Sequence, residues 1–290
     1  MKHSENSLFA QNVFVHPQSG QRARAINYLM QQTALRTMRR AMTRFLPFPV
    51  LQSEIQDVIY LNWVLDLESV QAYVPPGVSL WQRDGKTLFT ILTYVHGHFG
   101  PVFFGPLRQL CPSPIQSNWR LYVSEIEQQK VDSCVLFVKN TINHTLYAVG
   151  SRLFSDALPS HLALACRHQF QDHGFLTEID SGQGSSPDLY SHVELGTEAV
   201  LPLAFQSLFG NWHDAIRYLC LQDSAIAYVG DLEQCVRAGI ELPIDINSIQ
   251  AARLRDCQSH FPILQFCALD QALCFRVPRV RFRALWEKPC

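Results

Sequence analysis

Asn118-Trp119-Arg120-Leu121-Tyr122-Val123 is the stretch of this chain best equipped for chemistry. Side chains alternate faces along a strand, so Asn118, Arg120 and Tyr122 share one side while Trp119, Leu121 and Val123 share the other. A planar guanidinium between an amide and a phenol can hold a carboxylate or a carbonyl oxygen. The competing reading is a solvated or structural arginine on an outer face. Arg152 and Arg217 stand beside aromatic or strand-rich segments and could add positive charge to an anion pocket, or serve as packing and ion-pair residues.

Other chemistry is sparse. The chain has five lysines, and Lys139 alone stands out as a Schiff-base candidate. It ends the run Val135-Leu136-Phe137-Val138 and is predicted to share a face with Val135 and Phe137, where desolvation would lower an amine pKa. His96-Gly97-His98 puts two imidazoles on one strand face, but no third ligand follows at metal-binding spacing, so no metal is expected. His168 and His173, five apart on a predicted helix, do not share a stripe. Nucleophile-elbow, phosphate-loop and dinucleotide-binding patterns are missing, and Gly182-Gln183-Gly184 reads as loop, so no cofactor is expected.

The elements that would position these residues are mostly strands. Val58 to Val64 is β-rich, Leu67 to Tyr73 a helical turn, and Pro75-Pro76-Gly77 a stop. Val78 to Gln82 and Thr87 to Val95 flank Asp84-Gly85, a hairpin-turn dipeptide. Residues 97–114, rich in Gly, Pro and Phe, read as a long loop able to rim a cavity. Strands are predicted at 119–125, 134–139 and 145–149, a helix at 161–173, and a turn or flexible loop at 181–187. Beyond it, 190–195, 225–229 and 275–282 have strand texture, and 205–209 and 213–219 helical texture. Hairpin spacing with few helices predicts a largely antiparallel α+β domain built round a barrel or cone.

Before this domain, Ile26, Leu29, Met30, Ala34, Met38, Met42 and Phe45 recur at helical steps from residue 22 to 46, with Arg36, Arg39, Arg40 and Arg44 nearby, until Pro47 and Pro49. Glu5 is the sole acid before Glu54. Such a helix can cover its own domain, lie on an anionic membrane, dock on a partner or serve in targeting. Residues 1 to about 20 read as a loose leader. The chain thus divides into 1–48, leader and basic helix, and 49–290, the β-rich domain.

Composition bounds the partners. The 290 residues are 47% apolar with a formal charge of −1, so no global field recruits nucleic acid. Nine scattered cysteines without a CxxC pair suit buried thiols in a reducing compartment, and the N-terminus lacks a secretory pattern, so a cytoplasmic protein is expected.

In order and spacing, Leu61-Asn62-Trp63, Val74-Pro75-Pro76-Gly77-Val78, Asp84-Gly85, Asn118 to Val123 and Arg217-Tyr218 resemble the uncharacterised YqjF-like bacterial proteins of the acetoacetate decarboxylase-like superfamily. The resemblance spans about residues 57 to 285. It implies a cone- or barrel-like antiparallel sheet around a central cavity, and allows a homo-oligomer. In the decarboxylases the catalytic lysine follows a Gly-Arg-Glu-like turn in a Gly-Phe-Pro-Lys-Lys-like segment, to which Gly150-Ser151-Arg152-Leu153 through Leu158-Pro159-Ser160-His161 corresponds. Proline is kept and lysine is not, and neither Ser160 nor His161 can form the iminium that decarboxylation of a β-keto acid needs. Two functions follow as expectations. One is a pocket for a small organic acid or carbonyl ligand held by Asn118, Arg120, Tyr122, Arg152 and Arg217. If catalytic, it would be lyase- or hydrolase-like, with Tyr122 or His161 moving protons. The other is a non-enzymatic scaffold working through the basic helix at 22–46.

Overall fold

A computed structural model describes residues 12–43 and 48–290. Its helices are α1 (Gln21–Gln31), α2 (Thr33–Thr43), α3 (Leu67–Val70), α4 (Thr145–Phe154), α5 (Leu203–Gln206) and α6 (Trp212–Cys220). The strands are β1 (Leu51–Asp66), β2 (Val78–Leu80), β3 (Lys86–Val95), β4 (Gly100–Pro101), β5 (Ile115–Ile126), β6 (Gln129–Ile142), β7 (His161–Leu162), β8 (Ala165–Gln171), β9 (Gly174–Asp180), β10 (Leu189–Leu195), β11 (Ser224–Val229), β12 (Gln234–Glu241), β13 (Gln250–Gln258) and β14 (Leu273–Pro289). All belong to one sheet, antiparallel except where β6 meets β7 and β11. The path β1-β3-β5-β6-β11-β12-β14 returns on itself because the long β14 also pairs with β1, from Leu51↔Ala284 to Asn62↔Leu273. The expected cone- or barrel-like α+β fold is therefore present.

Alternation on β5 sorts two cores. Trp119, Leu121 and Val123 face outward into an apolar layer closed by β8, β9, β10 and β13 through Phe175, Ile179, Val193 and Leu254. The opposite face looks into the ring, where α6 fills one end with Trp212, Ala215, Ile216 and Leu219 against Tyr60, Tyr122 and Phe275. Helix α6 starts under an Asn211 cap, whose side chain accepts from the Asp214 N–H, and its apolar residues sit three and four apart. Both faces of β5 are buried, which is why its inward face can carry a charge that water does not reach.

Several local expectations change. The dipeptide Asp84-Gly85 does make a tight turn, with φ of 51° and 73° and reciprocal Arg83–Lys86 backbone bonds, but β2 then pairs with β5 rather than β3. Residues 145–149, predicted as strand, open helix α4, which buries Ala148 and Arg152 one turn apart. Residues 161–173, predicted as helix, are β7 and the edge strand β8, turned at Asp172 and His173, both at positive φ. The basic helix is two helices broken at Gln32. The leader is not loose over residues 12–20: Gln183 N–H donates to Pro17 O and Ser185 N–H to Val15 O, which also orders the 181–187 loop. The leader to residue 11, Arg44, Phe45 and Pro47 lie outside the described residues.

Candidate functional site

The ring interior not filled by α6 is a cavity of about 540 Å³. Its closed end is walled by buried Tyr60, Leu92, Tyr94, Ala225, Ala238 and Val280. At the solvent edge stand Phe104, Leu146 and Phe154, all exposed. Phe99, Pro101, Phe104 and Pro112 come from the 97–114 segment, which forms the predicted rim.

Into this apolar space project Gln116, Asn118 and Arg120 from β5 and Asn140 from β6. Arg120 is 3% exposed. Its Nη2 donates to Leu219 O on α6 (2.8 Å) and to the Tyr122 hydroxyl (3.4 Å), while Nε is buried without a hydrogen-bond partner. Burial opposes its charge, but the oxygens of Tyr122 and Tyr60 outweigh that and hold its pKa above the ordinary value. No carboxylate pairs with it among the described residues, so the guanidinium is a desolvated cation with donor capacity left over.

A hydrogen-bonded array flanks the arginine. Asn118 Oδ1 accepts from Tyr94 OH (3.3 Å) and Gln116 Nε2 (3.1 Å), leaving its amide Nδ2 as a spare donor on the Arg120 face. Gln116 Nε2 also donates to Asn140 Oδ1 (2.8 Å), and Asn140 Nδ2 to Ser160 Oγ (3.1 Å). His96 Nε2 lies 2.7 Å from Gln116 Oε1, its ring stacked on Phe99 at 4.3 Å. Burial lowers its pKa to about 4, so the ring is neutral at pH 7 and Nε2–H donates to the glutamine. Behind Arg120, Thr90 Oγ1 donates to Asn62 Oδ1 and contacts the Tyr122 hydroxyl at 2.9 Å. On another wall, Glu287 accepts from Ser155 Oγ and the Asp156 N–H, and burial raises its pKa.

Of the residues singled out from sequence, Asn118 and Arg120 line the cavity, whereas Tyr122 sits behind Arg120 and positions it. Arg152, His161 and Lys139 lie elsewhere. Arg152 donates to Ser160 O, to Asn12 O and Oδ1, and to His161 Nε2 (3.2 Å). His161 Nδ1 is 2.7 Å from Ser185 Oγ, and burial together with Arg152 and Lys139 keeps this ring neutral. Burial, with Arg152, also lowers the Lys139 pKa to about 8. Lys139 nevertheless does not share the Val135 and Phe137 face. An extra residue, Val138, shifts the register so that Lys139 pairs with outward-facing Trp119. Arg217 is exposed on α6 and outside the lining. His96 and His98 do not converge, because His98 turns out to solvent at φ 50°.

The sequence reading missed Gln116, Asn140, Tyr94 and Glu287, and weighed His96 only as half of a metal-binding pair. Gln116 extends the same i, i+2 alternation and was legible from it. Asn140 was hidden by the extra residue, and His96 and Glu287 reach the site through pairings distant in sequence.

The N-terminal helices are engaged with the rest of the chain. Ile26, Leu29 and Met30 pack with Phe14, Ile142, Ala148 and Leu162. Arg39 and Arg40 pair with Asp156 at 2.7 and 2.8 Å, and Arg36 and Arg40 with Asp231 at 3.6 and 2.7 Å. No helix among the described residues is long and apolar enough to cross a membrane, and all nine cysteines are free.

Residues 52–185 match DUF2071, described as an uncharacterized conserved protein family (COG2071). No curated protein matches the chain. Among solved structures, the chain resembles acetoacetate decarboxylase from Legionella pneumophila with 10% identity and a TM-score of 0.55, over 82% of this chain and 86% of that one. It also resembles the enduracididine biosynthesis enzyme MppR complexed with pyruvate (11%, 0.54; 84% and 91%). An acetoacetate decarboxylase-like enzyme from Sphingomonas wittichii RW1 is similar too (8%, 0.51; 84% and 93%). At these identities the likeness shows a shared fold.

Proposed function

We propose that this chain, whose residues 52–185 belong to the DUF2071, YqjF-like family and whose fold is that of the acetoacetate decarboxylase-like proteins, binds a small organic acid or carbonyl compound inside the ring. One observation carries the reading: Arg120 is buried on the wall of an apolar cavity, without a carboxylate partner among the described residues and with an Nε that lacks a hydrogen-bond partner. Desolvating a charge costs several kcal/mol, and a bound anion would offset that cost. Arg120 would take one oxygen and Asn118 Nδ2 the other, with Gln116, Tyr94 and Tyr122 holding both donors in place. Pyruvate in MppR shows that this fold accommodates a carbonyl acid in another protein.

Iminium chemistry of the decarboxylase kind is not part of the reading. Among the described residues no lysine lines the cavity, and Ser160, one of the two residues the resemblance sets against the decarboxylase lysines, is a hydrogen-bonded hydroxyl on the wall. The alternative of a scaffold acting through the basic helix has less support, since Arg36, Arg39 and Arg40 already meet Asp156 and Asp231.

The test is thermal unfolding of wild type and Arg120→Met with a panel of carboxylates. A ligand at a hundred times its dissociation constant adds about 2.7 kcal/mol. A midpoint rise in wild type that vanishes in Arg120→Met supports the anion site; equal shifts in both proteins, or none in either, overturn it.

A further inference from the structure

Granting the anion reading above, we infer that the ligand is a monocarboxylate with an extended hydrocarbon tail, its carboxylate on Arg120 and its tail running out past Phe104, Leu146 and Phe154. Size is the first argument. At roughly 30 Å³ per non-hydrogen atom, liquid water's own share of volume, the cavity's 540 Å³ has room for on the order of ten to eighteen such atoms. Pyruvate, with about six, would leave most of that space empty or wet.

Charge is the second. Among the described lining residues Arg120 is the single arginine, and neither lysine nor histidine joins it. A phosphate or dicarboxylate would therefore bring a second negative charge into a desolvated space without a counterion. One charge matches one charge.

Polarity is the third. Gln116, Asn118, Arg120 and Asn140 form one polar patch on β5 and the neighbouring β6, whereas Ser151, Ser155 and Glu287 on another wall are already hydrogen-bonded within the chain. The apolar lining away from it includes Ile55, Val58, Ile240, Leu242 and Phe282. The exposed side chains Leu146, Phe154 and Phe104 continue this apolar surface to solvent, Phe104 in edge contact with exposed Phe103. A short polar acid gains nothing from such walls, whereas an alkyl or aryl tail displaces poorly held water from them.

Calorimetric titration of the whole protein with straight-chain carboxylates of increasing length, their matched alcohols and pyruvate tests this. Affinity should rise about fourfold per methylene, equivalent to about 0.8 kcal/mol, until the tail reaches the mouth. The exposed double variant L146S/F154S should weaken the longest acids and leave the shorter ones unchanged. Pyruvate binding as tightly as the long acids, or a flat length series, overturns the tail and leaves the anion site standing. Alcohols binding as tightly as acids, or no acid binding at any length, overturns the anion site and the tail with it.

Discussion

Arg120 and Arg152 are both buried, and among the described residues neither is paired with a carboxylate, yet they do opposite things. Arg152 is enclosed by acceptors of its own chain: Ser160 O, Asn12 O and Oδ1, and a neutral His161. Its desolvation, with nearby Arg36, brings its pKa down to about 9, and its work is to tie residues 12–16 and α4 to the wall of the ring. Arg120 donates to one carbonyl and one phenol, leaves Nε without a hydrogen-bond partner and lines the apolar cavity. Burial alone therefore does not mark a functional arginine; a place on a cavity wall with donor capacity left over does.

The largest expected effect breaks the comparison on the Arg152 side. Arg152→Met should leave Ser160 O, Asn12 and His161 without a donor, at about 1–3 kcal/mol for each buried unsatisfied group, and so cost about 4 kcal/mol in all. Chemical denaturation measures it, with the segment 12–16 becoming protease-sensitive at the same time. A variant as stable as wild type would mean that Arg152 is no more integrated than Arg120.

Acid should sharpen the contrast next. The folded protein holds His96 neutral down to about pH 4, whereas the unfolded chain takes up that proton near 6.5. The unfolded state therefore binds more protons between these values, so stability falls as pH drops through that window and is indifferent to this group above it. At about 1.4 kcal/mol per unit the loss attributable to His96 approaches about 3 kcal/mol. His161, on the Arg152 side, and His168 act in the same direction, because their pKa values are also lowered. His96→Gln should flatten the profile of unfolding free energy against pH and leave a residual slope from those two. An unchanged profile would show that His96 does not titrate as its burial requires.

How much of this was legible follows from where each signal sits. The alternation Asn118, Arg120, Tyr122 is local, and it identified the inward face of β5 correctly. That Arg152 and His161 would turn away from the cavity depended on α4 and β7. Residues 145–149 look like strand because Tyr147 and Val149 favour it, yet they are helical, with Ala148 and Arg152 buried on one face a turn apart. Strand β8 reads as helix because it is an edge with Arg and Gln on its exposed positions. Lys139 was misplaced by one extra residue, and a one-residue slip moves a strand's side chains to the other face. Return of β14 to β1, which closes the ring, is a contact across more than 200 residues that no local pattern encodes.

A smaller effect concerns α2. Asp156 accepts from Arg40 and forms an ion pair with Arg39, and although burial disfavours its charge, Arg40 and Arg39 bring its pKa below the ordinary value. Asp156→Asn should cost about 2 kcal/mol, the scale of a hydrogen bond to a charged group, and raise hydrogen exchange in Thr33–Thr43 while leaving carboxylate binding intact. Loss of binding in this variant would tie the basic helix to the cavity.

The smallest effect on stability should come from Arg120→Met, and its smallness is the point. Methionine fills the same apolar space and removes the cost of burying a charge, against which stand the lost bonds to Leu219 O and the Tyr122 hydroxyl. These oppose each other, so the net change in unfolding free energy should stay within about 1 kcal/mol. Binding of a carboxylate, by contrast, loses its charge-assisted partner and should weaken by about tenfold to a hundredfold, the scale of 1.5–3 kcal/mol. Denaturation and titration on the same sample separate the two. If Arg120→Met instead unfolds as readily as Arg152→Met, then Arg120 serves the fold, and the contrast between the two arginines disappears. A stable protein that no longer binds acids means the ring keeps a charge its own packing does not need.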